Sequence, residues 1–320
     1  MDINNSVLEW LLEEDNPSVR YRTMTELLDV PAGSPEAVKT RADIESSEPV
    51  QKIFARMHPD GCWLQKKSRT KEFLGEGVEY GAEATTHFML SYLSELGLTR
   101  EHPLVYKAAD RYLNLQQSDG DFWLHLSCLF AFNIRTFIRL GFRDDPRVQK
   151  TIDLMLNTVK LDGGYLCELH EGKYKTREVK SCIRGCVKAL TAFAELPEYW
   201  GHRRCLDLVD YFLHRECLYR MTDPSRPVSQ DVIRTSFPFN WRASVVEIVY
   251  GLSRMGYGGK NEAAKAWAVL EEKKDNTGRY ILDWSPSHIK PFFKVGKKGE
   301  PNKWVTLYAL LAQKDGMKLC

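Results

Sequence analysis

QQSDGDFWLHLSCLFAFNIRTFIRLGFRDDPRVQKTIDLMLNTV, residues 116–159, reads as turn, buried helix, turn and half-exposed helix. Asp119-Gly120 signals the first turn, because glycine accepts positive φ and aspartate bonds its own backbone. The run LHLSCLFAFNIRTFIRL that follows is apolar almost all round, as a helix enclosed by protein should be. Gly141 stops that helix and Pro146 opens the next. PRVQKTIDLMLNTV has one apolar stripe and one polar face, which suits an outer helix packed on the inner one.

The pattern repeats outward from this stretch. HPDGCW at 58–63, SDGDFW at 118–123 and LDGGYL at 161–166 each place Asp-Gly shortly before an aromatic, and NTGRYI at 276–281 is a degenerate copy. A turn recurring at intervals is the mark of a repeat architecture. Helical patterns fill the gaps: 79–96 with 104–117, 123–140 with 146–158, 179–195 with 199–218, and 240–255 with 261–274. A first pair falls at 19–28 and 35–57, and 302–314 pairs with an N-terminal helix at 7–13 to close a ring. No run alternates with period two, so no sheet is expected. The prediction is an all-α chain, a single α/α toroid domain over 1–320. In it 1–57 closes the ring and 58–320 supplies the repeats.

These turns resemble the Q-x-x-D-G-x-W signature of the squalene-cyclase and protein-prenyltransferase repeats, here QQSDGDFW at 116–123. The resemblance extends from NPSVRYRTMTELL (16–28) to KWVTLYALL (303–311) and implies a short stand-alone terpenoid cyclase-like toroid. Class II cyclases of that family protonate an alkene with a D-x-D-D motif. This chain has none, and Asp144-Asp145 falls in a hinge between helices. Prenyltransferases hold zinc with an Asp, a Cys and a distant His. Cys182 is kept here, but Lys180 stands in the Asp position.

Composition sets the bounds. The chain has 320 residues, 43% hydrophobic, enough for a large core. A net charge of +2 gives no footprint for nucleic acid. No stretch is apolar enough to cross a membrane, and the N-terminus has no secretory pattern. Eight cysteines in such a chain read as thiols, so the protein is expected in the cytoplasm.

Inner helices that run the same way bring their N-termini to one mouth. There the spacing pairs Glu83 with His87, His125 with Cys128, and Cys182 with Cys186, each three or four apart on a helix. A helix N-terminus favours thiolate and a histidine works as acid or base near neutrality, so these six are the catalytic candidates. Packing is the competing role for the thiols and histidines. His125, Cys128, Cys182 and Cys186 also form a Cys₃His set that zinc accepts, although no cofactor is otherwise required. Tyr80, Phe239 and Trp241 are candidates to line the pocket, with Lys180, Arg184 and Arg242 to hold an anionic group. The expectation is an enzyme of lyase, hydro-lyase or isomerase type acting on a largely apolar, isoprenoid-like small molecule. A non-catalytic binding toroid and a zinc-dependent transferase are the alternatives.

Overall fold

Along the chain, helices alternate between a fully enclosed and a half-exposed environment. The computed structural model describes residues 4–64, 85–122, 125–167, 181–290, 292 and 294–317. The inner helices are α2 (Pro17–Arg22, continued by a π turn over Thr23–Leu27), α5 (Thr86–Leu96), α7 (Ser127–Arg139), α9 (Ile183–Phe193), α11 (Val245–Arg254) and α13 (Lys303–Met317). Every residue of α5 is buried, and nearly all of α9 and α11. Outside them lie α1 (Asn5–Leu11), α3 (Pro35–Ser46), α4 (Glu48–Phe54), α6 (Pro103–Leu113), α8 (Pro146–Asn157), α10 (Arg203–Leu213) and α12 (Ala264–Glu271).

Contacts close these helices into an α/α toroid. Around the inner ring α2 packs on α5, then α7, α9, α11 and α13, which returns to α2 and its π turn. Each inner helix also packs on its outer partner, and α1 covers α13, so the two ends of the chain share the last hairpin. Lys303 on α13 donates to Glu13 at 2.7 Å and also reaches Asp15, which fixes that closure.

The turn aromatics fasten one hairpin to the next. The Trp63 indole donates to the Ile53 carbonyl at 2.8 Å, and the Tyr165 hydroxyl to Met155 at 3.0 Å. Phe122 stacks on Tyr112 at 4.9 Å, and Tyr280 bonds the Glu271 carboxylate. Each thus reaches back nine or ten residues to the preceding outer helix. Three of the four turn amides are also taken from the following inner helix. Trp63 donates to Thr86 Oγ1 at 3.0 Å, Tyr165 to Cys186 Sγ at 3.2 Å, and Tyr280 to Thr306 Oγ1 at 2.9 Å.

Two details differ from the sequence reading. Helices α7, α9 and α11 begin at Ser127, Ile183 and Val245, later than the periodicity suggests. Residues 234–244 hold a cis Phe237–Pro238 peptide and an Asn240 turn before α11. A short antiparallel ribbon also follows α10, pairing β1 (Tyr219–Arg220) with β2 (Asp223–Pro227). Two strands this short carry no period-two signal. Among the described residues no helix is long and apolar enough to cross a membrane.

Candidate functional site at the mouth of the ring

At the N-terminal end of α9 three charged side chains meet over two indoles. Arg184 donates to Asp231 Oδ2 at 3.0 Å, and Arg242 donates to Asp231 Oδ1 at 3.0 Å. The Arg184 guanidinium lies over the Trp241 ring at 4.5 Å, and that of Arg242 over Trp241 at 5.0 Å and Trp284 at 4.6 Å. A short 3₁₀ turn, Gln230–Ile233, brings in Asp231. The Trp284 amide donates to the Thr235 carbonyl at 3.1 Å, which holds Trp284 beside the segment that carries Trp241. Asp231 is nearly enclosed, while both arginines remain about a third exposed. Among the described residues two guanidiniums share this one carboxylate, with N–H groups to spare. Arg242 Nε has no acceptor among the described residues.

Below the mouth lie thiols. Cys128 Sγ is 3.3 Å from Cys167 Sγ, and Ser127 Oγ is 3.5 Å from the latter. Cys182 caps α9 and is half-buried; burial raises its thiol pKa, and the Arg184 and Gly185 amides only partly oppose this. The expectation of an activated thiolate at the helix N-terminus therefore fails on magnitude: desolvation outweighs the helix end.

Deeper still, buried charges pair between the inner helices. Lys188 of α9 pairs with Glu247 of α11, whose other oxygen accepts from Ser244 Oγ at 3.1 Å. Burial pushes the Lys188 pKa down and that of Glu247 up, and their mutual attraction opposes both shifts. Cys128 is close enough to act on the charge of Lys188, and Arg135 acts on both members of the pair. Towards the other end of the ring Arg22, Arg135 and Tyr308 converge on Glu95. Arg22 and Arg135 each donate to the Tyr308 hydroxyl at 2.9 Å, and both bond Glu95. Burial alone would raise the Glu95 carboxyl, but Arg135, Arg139 and Arg22 more than offset it and hold its pKa at about 2.

The sequence candidates separate in this geometry. Arg184, Trp241 and Arg242 come together around Asp231. Phe239 lies deeper, 4.6 Å from Tyr308 and under the Arg135 guanidinium, so it floors the lumen. His87 is buried against Phe88, Tyr112 and Phe132, with Nδ1 3.2 Å from Thr85 Oγ1. His125 is not on a helix face with Cys128. It precedes α7 with φ of +45°, pairs with Asp119 at 2.8 Å, and takes its amide to Asp121 at 2.5 Å. Cys186 is turned to the Tyr165 amide and its pKa is pushed up to about 12, first by burial. His125 thus turns to Asp119 and Asp121 rather than to the thiols. Among the described residues no three His, Cys, Asp or Glu side chains group so as to hold a metal ion. Glu83, Tyr80 and Lys180 lie outside the described residues. The sequence reading passed over Asp231, Trp284, Lys188, Glu247 and Glu95. For Lys188, Glu247 and Glu95 the signal was a lone charge in a helix apolar on every side.

No protein-family model matches the chain, and no curated protein is similar to it in sequence. In structure it is similar to a glycosyl hydrolase of family 88 from Bacteroides vulgatus. The TM-score is 0.54 at 13% identity, over 100% of each chain. At that identity the likeness carries fold and nothing finer. The α/α toroid stands, and membership of the squalene-cyclase and prenyltransferase repeats has no support beyond that fold class.

Proposed function

We propose that the protein is an enzyme that takes an anionic, polar small molecule at the mouth of the toroid, with a sugar acid as the first candidate. The observation that carries this reading is the Arg184–Asp231–Arg242 cluster on Trp241, where two guanidiniums face one carboxylate. A planar guanidinium matches a carboxylate in two-pronged geometry. A glycosyl hydrolase shares the fold, and we take a sugar as the first body to test for that anion. An apolar, isoprenoid occupant finds no support in a mouth built from Arg184, Arg242 and Asp231.

Lys188 and Glu247 are the acid–base candidates in this reading. The ammonium and the carboxylate are hydrogen-bonded to each other, and Ser244 fixes the carboxyl. Both are almost fully buried, which favours a second reading, a toroid that binds the same anion without reacting.

The test is calorimetric binding of D-glucuronate, together with hydrolysis of a chromogenic aryl glucuronide. Arg242→Gln should weaken binding at least about tenfold, as loss of a charge-assisted pair does. Glu247→Gln should abolish turnover and leave binding within about twofold. Equal binding by Arg242→Gln would sink the mouth assignment. Binding without turnover in the wild type would select the binding toroid.

A further inference from the structure

Beside the mouth lies a groove of about 760 Å³ lined by Trp284, Ser285, Ser287, Lys290, Lys294, Lys297, Lys298 and Glu300. Its four lysines are exposed. Glu300 is the one acidic side chain among the described residues that line it, and it pairs with Lys297 at 3.4 Å. Trp284 belongs to both sites: Arg242 lies over its ring at 4.6 Å, and the same indole walls the groove. Trp284 therefore separates the two mouth guanidiniums from a second recess rich in lysine. That recess is several times larger than a single carboxylate or phosphate needs. The cavity of about 690 Å³ lined by Glu14, Asp15, Asp43 and Glu48 has the opposite character, and Lys294 borders both. Lys290 and Lys298 are the groove's own cations.

We infer that the ligand is an oligomeric anion, which places one charged unit on Arg184 and Arg242 and a second in the groove on Lys290 and Lys298, with Trp284 between them. The inference rests on the mouth reading above and extends it from one anionic group to a chain. A chain of sugar acids and a chain of phosphates share this chemistry. The sugar acid adds a ring whose C–H face suits an indole, and hydroxyls that suit Ser285 and Ser287. Linking two anions makes the second contact intramolecular, so the oligomer gains affinity without any new kind of contact.

Calorimetry on the full chain tests this with D-galacturonate, trigalacturonate, inorganic phosphate and tripolyphosphate. Wild type should bind one oligomer at least about tenfold tighter than its own monomer. Lys290→Gln/Lys298→Gln should erase that gain and leave monomer binding unchanged; both side chains are exposed, so folding is not at stake. A gain with trigalacturonate alone names a sugar-acid chain, and a gain with tripolyphosphate alone names a phosphate chain. The groove is overturned if neither oligomer gains, or if the gain survives in the double variant. Loss of the gain while Arg242→Gln still weakens the monomer removes the groove and keeps the mouth. Monomer binding indifferent to Arg242→Gln removes the mouth, and the inference with it.

Discussion

Cys186 occupies the place that Thr86 and Thr306 hold in other repeats, each accepting the amide of a turn aromatic. Cys186→Thr should therefore keep the hydrogen bond and stay within about 1 kcal/mol of wild type. Cys186→Ala strands a buried amide and should cost about 1–3 kcal/mol more, measured by urea unfolding. A Thr variant as unstable as the Ala variant would deny the equivalence. Glu95 gives the sharper case. Glu95→Gln removes the main carboxylate of Arg135, while Arg22 keeps Glu26, and should cost about 3 kcal/mol near neutral pH. The Glu95 pKa lies at about 2, below its ordinary 4.5, so its contribution is full above the ordinary value and is lost as pH falls towards the folded one. The gap between wild type and Glu95→Gln should thus narrow from about pH 5 to about pH 3, and a constant gap would contradict the assignment. At this scale the mouth was half legible. Arg184, Trp241 and Arg242 stood near helix starts in the sequence, whereas Asp231 reaches them from a distant turn that no spacing rule foretells.

The recurring turn is the element on which the fold depends. Gly163 has φ of +76°, and an added Cβ would lie 2.5 Å from the Asp207 carbonyl. Gly163→Ala combines backbone strain with a collision against backbone and should destabilise by about 2–4 kcal/mol. Gly201 meets nothing within 4 Å, so Gly201→Ala is the control and should change stability by less than about 1 kcal/mol. Equal thermal midpoints for the two variants would refute this account of the turn. The hairpins could be read from sequence because inner and outer helices bury different fractions of their surface, which composition records. Helix rotation could not, because a helix apolar on nearly every side has no face to orient by. That is why His125 and Cys128 were paired on paper and part in the structure.

The whole molecule is a ring closed by its two ends, and buried charges pair between its inner helices. Besides the Lys303 bonds, Arg279 lies over the Trp10 ring at 4.4 Å, so α1 is tied to the last repeat. Removing residues 1–15 should expose α13 and lower the thermal midpoint by several degrees, roughly 2–4 °C per kcal/mol lost. An unchanged midpoint would mean that the ring does not depend on that closure. The closed architecture was legible from turn spacing and helix alternation, since both follow directly from burial. The buried ion pairs were not, because sequence shows a buried charge without the partner that makes it tolerable. The most direct test of the central claim is a crystal structure of the protein soaked with D-glucuronate. The account predicts its carboxylate on Arg184 and Arg242 above Trp241. An empty mouth at saturating ligand, or a sugar bound elsewhere on the ring, would contradict it.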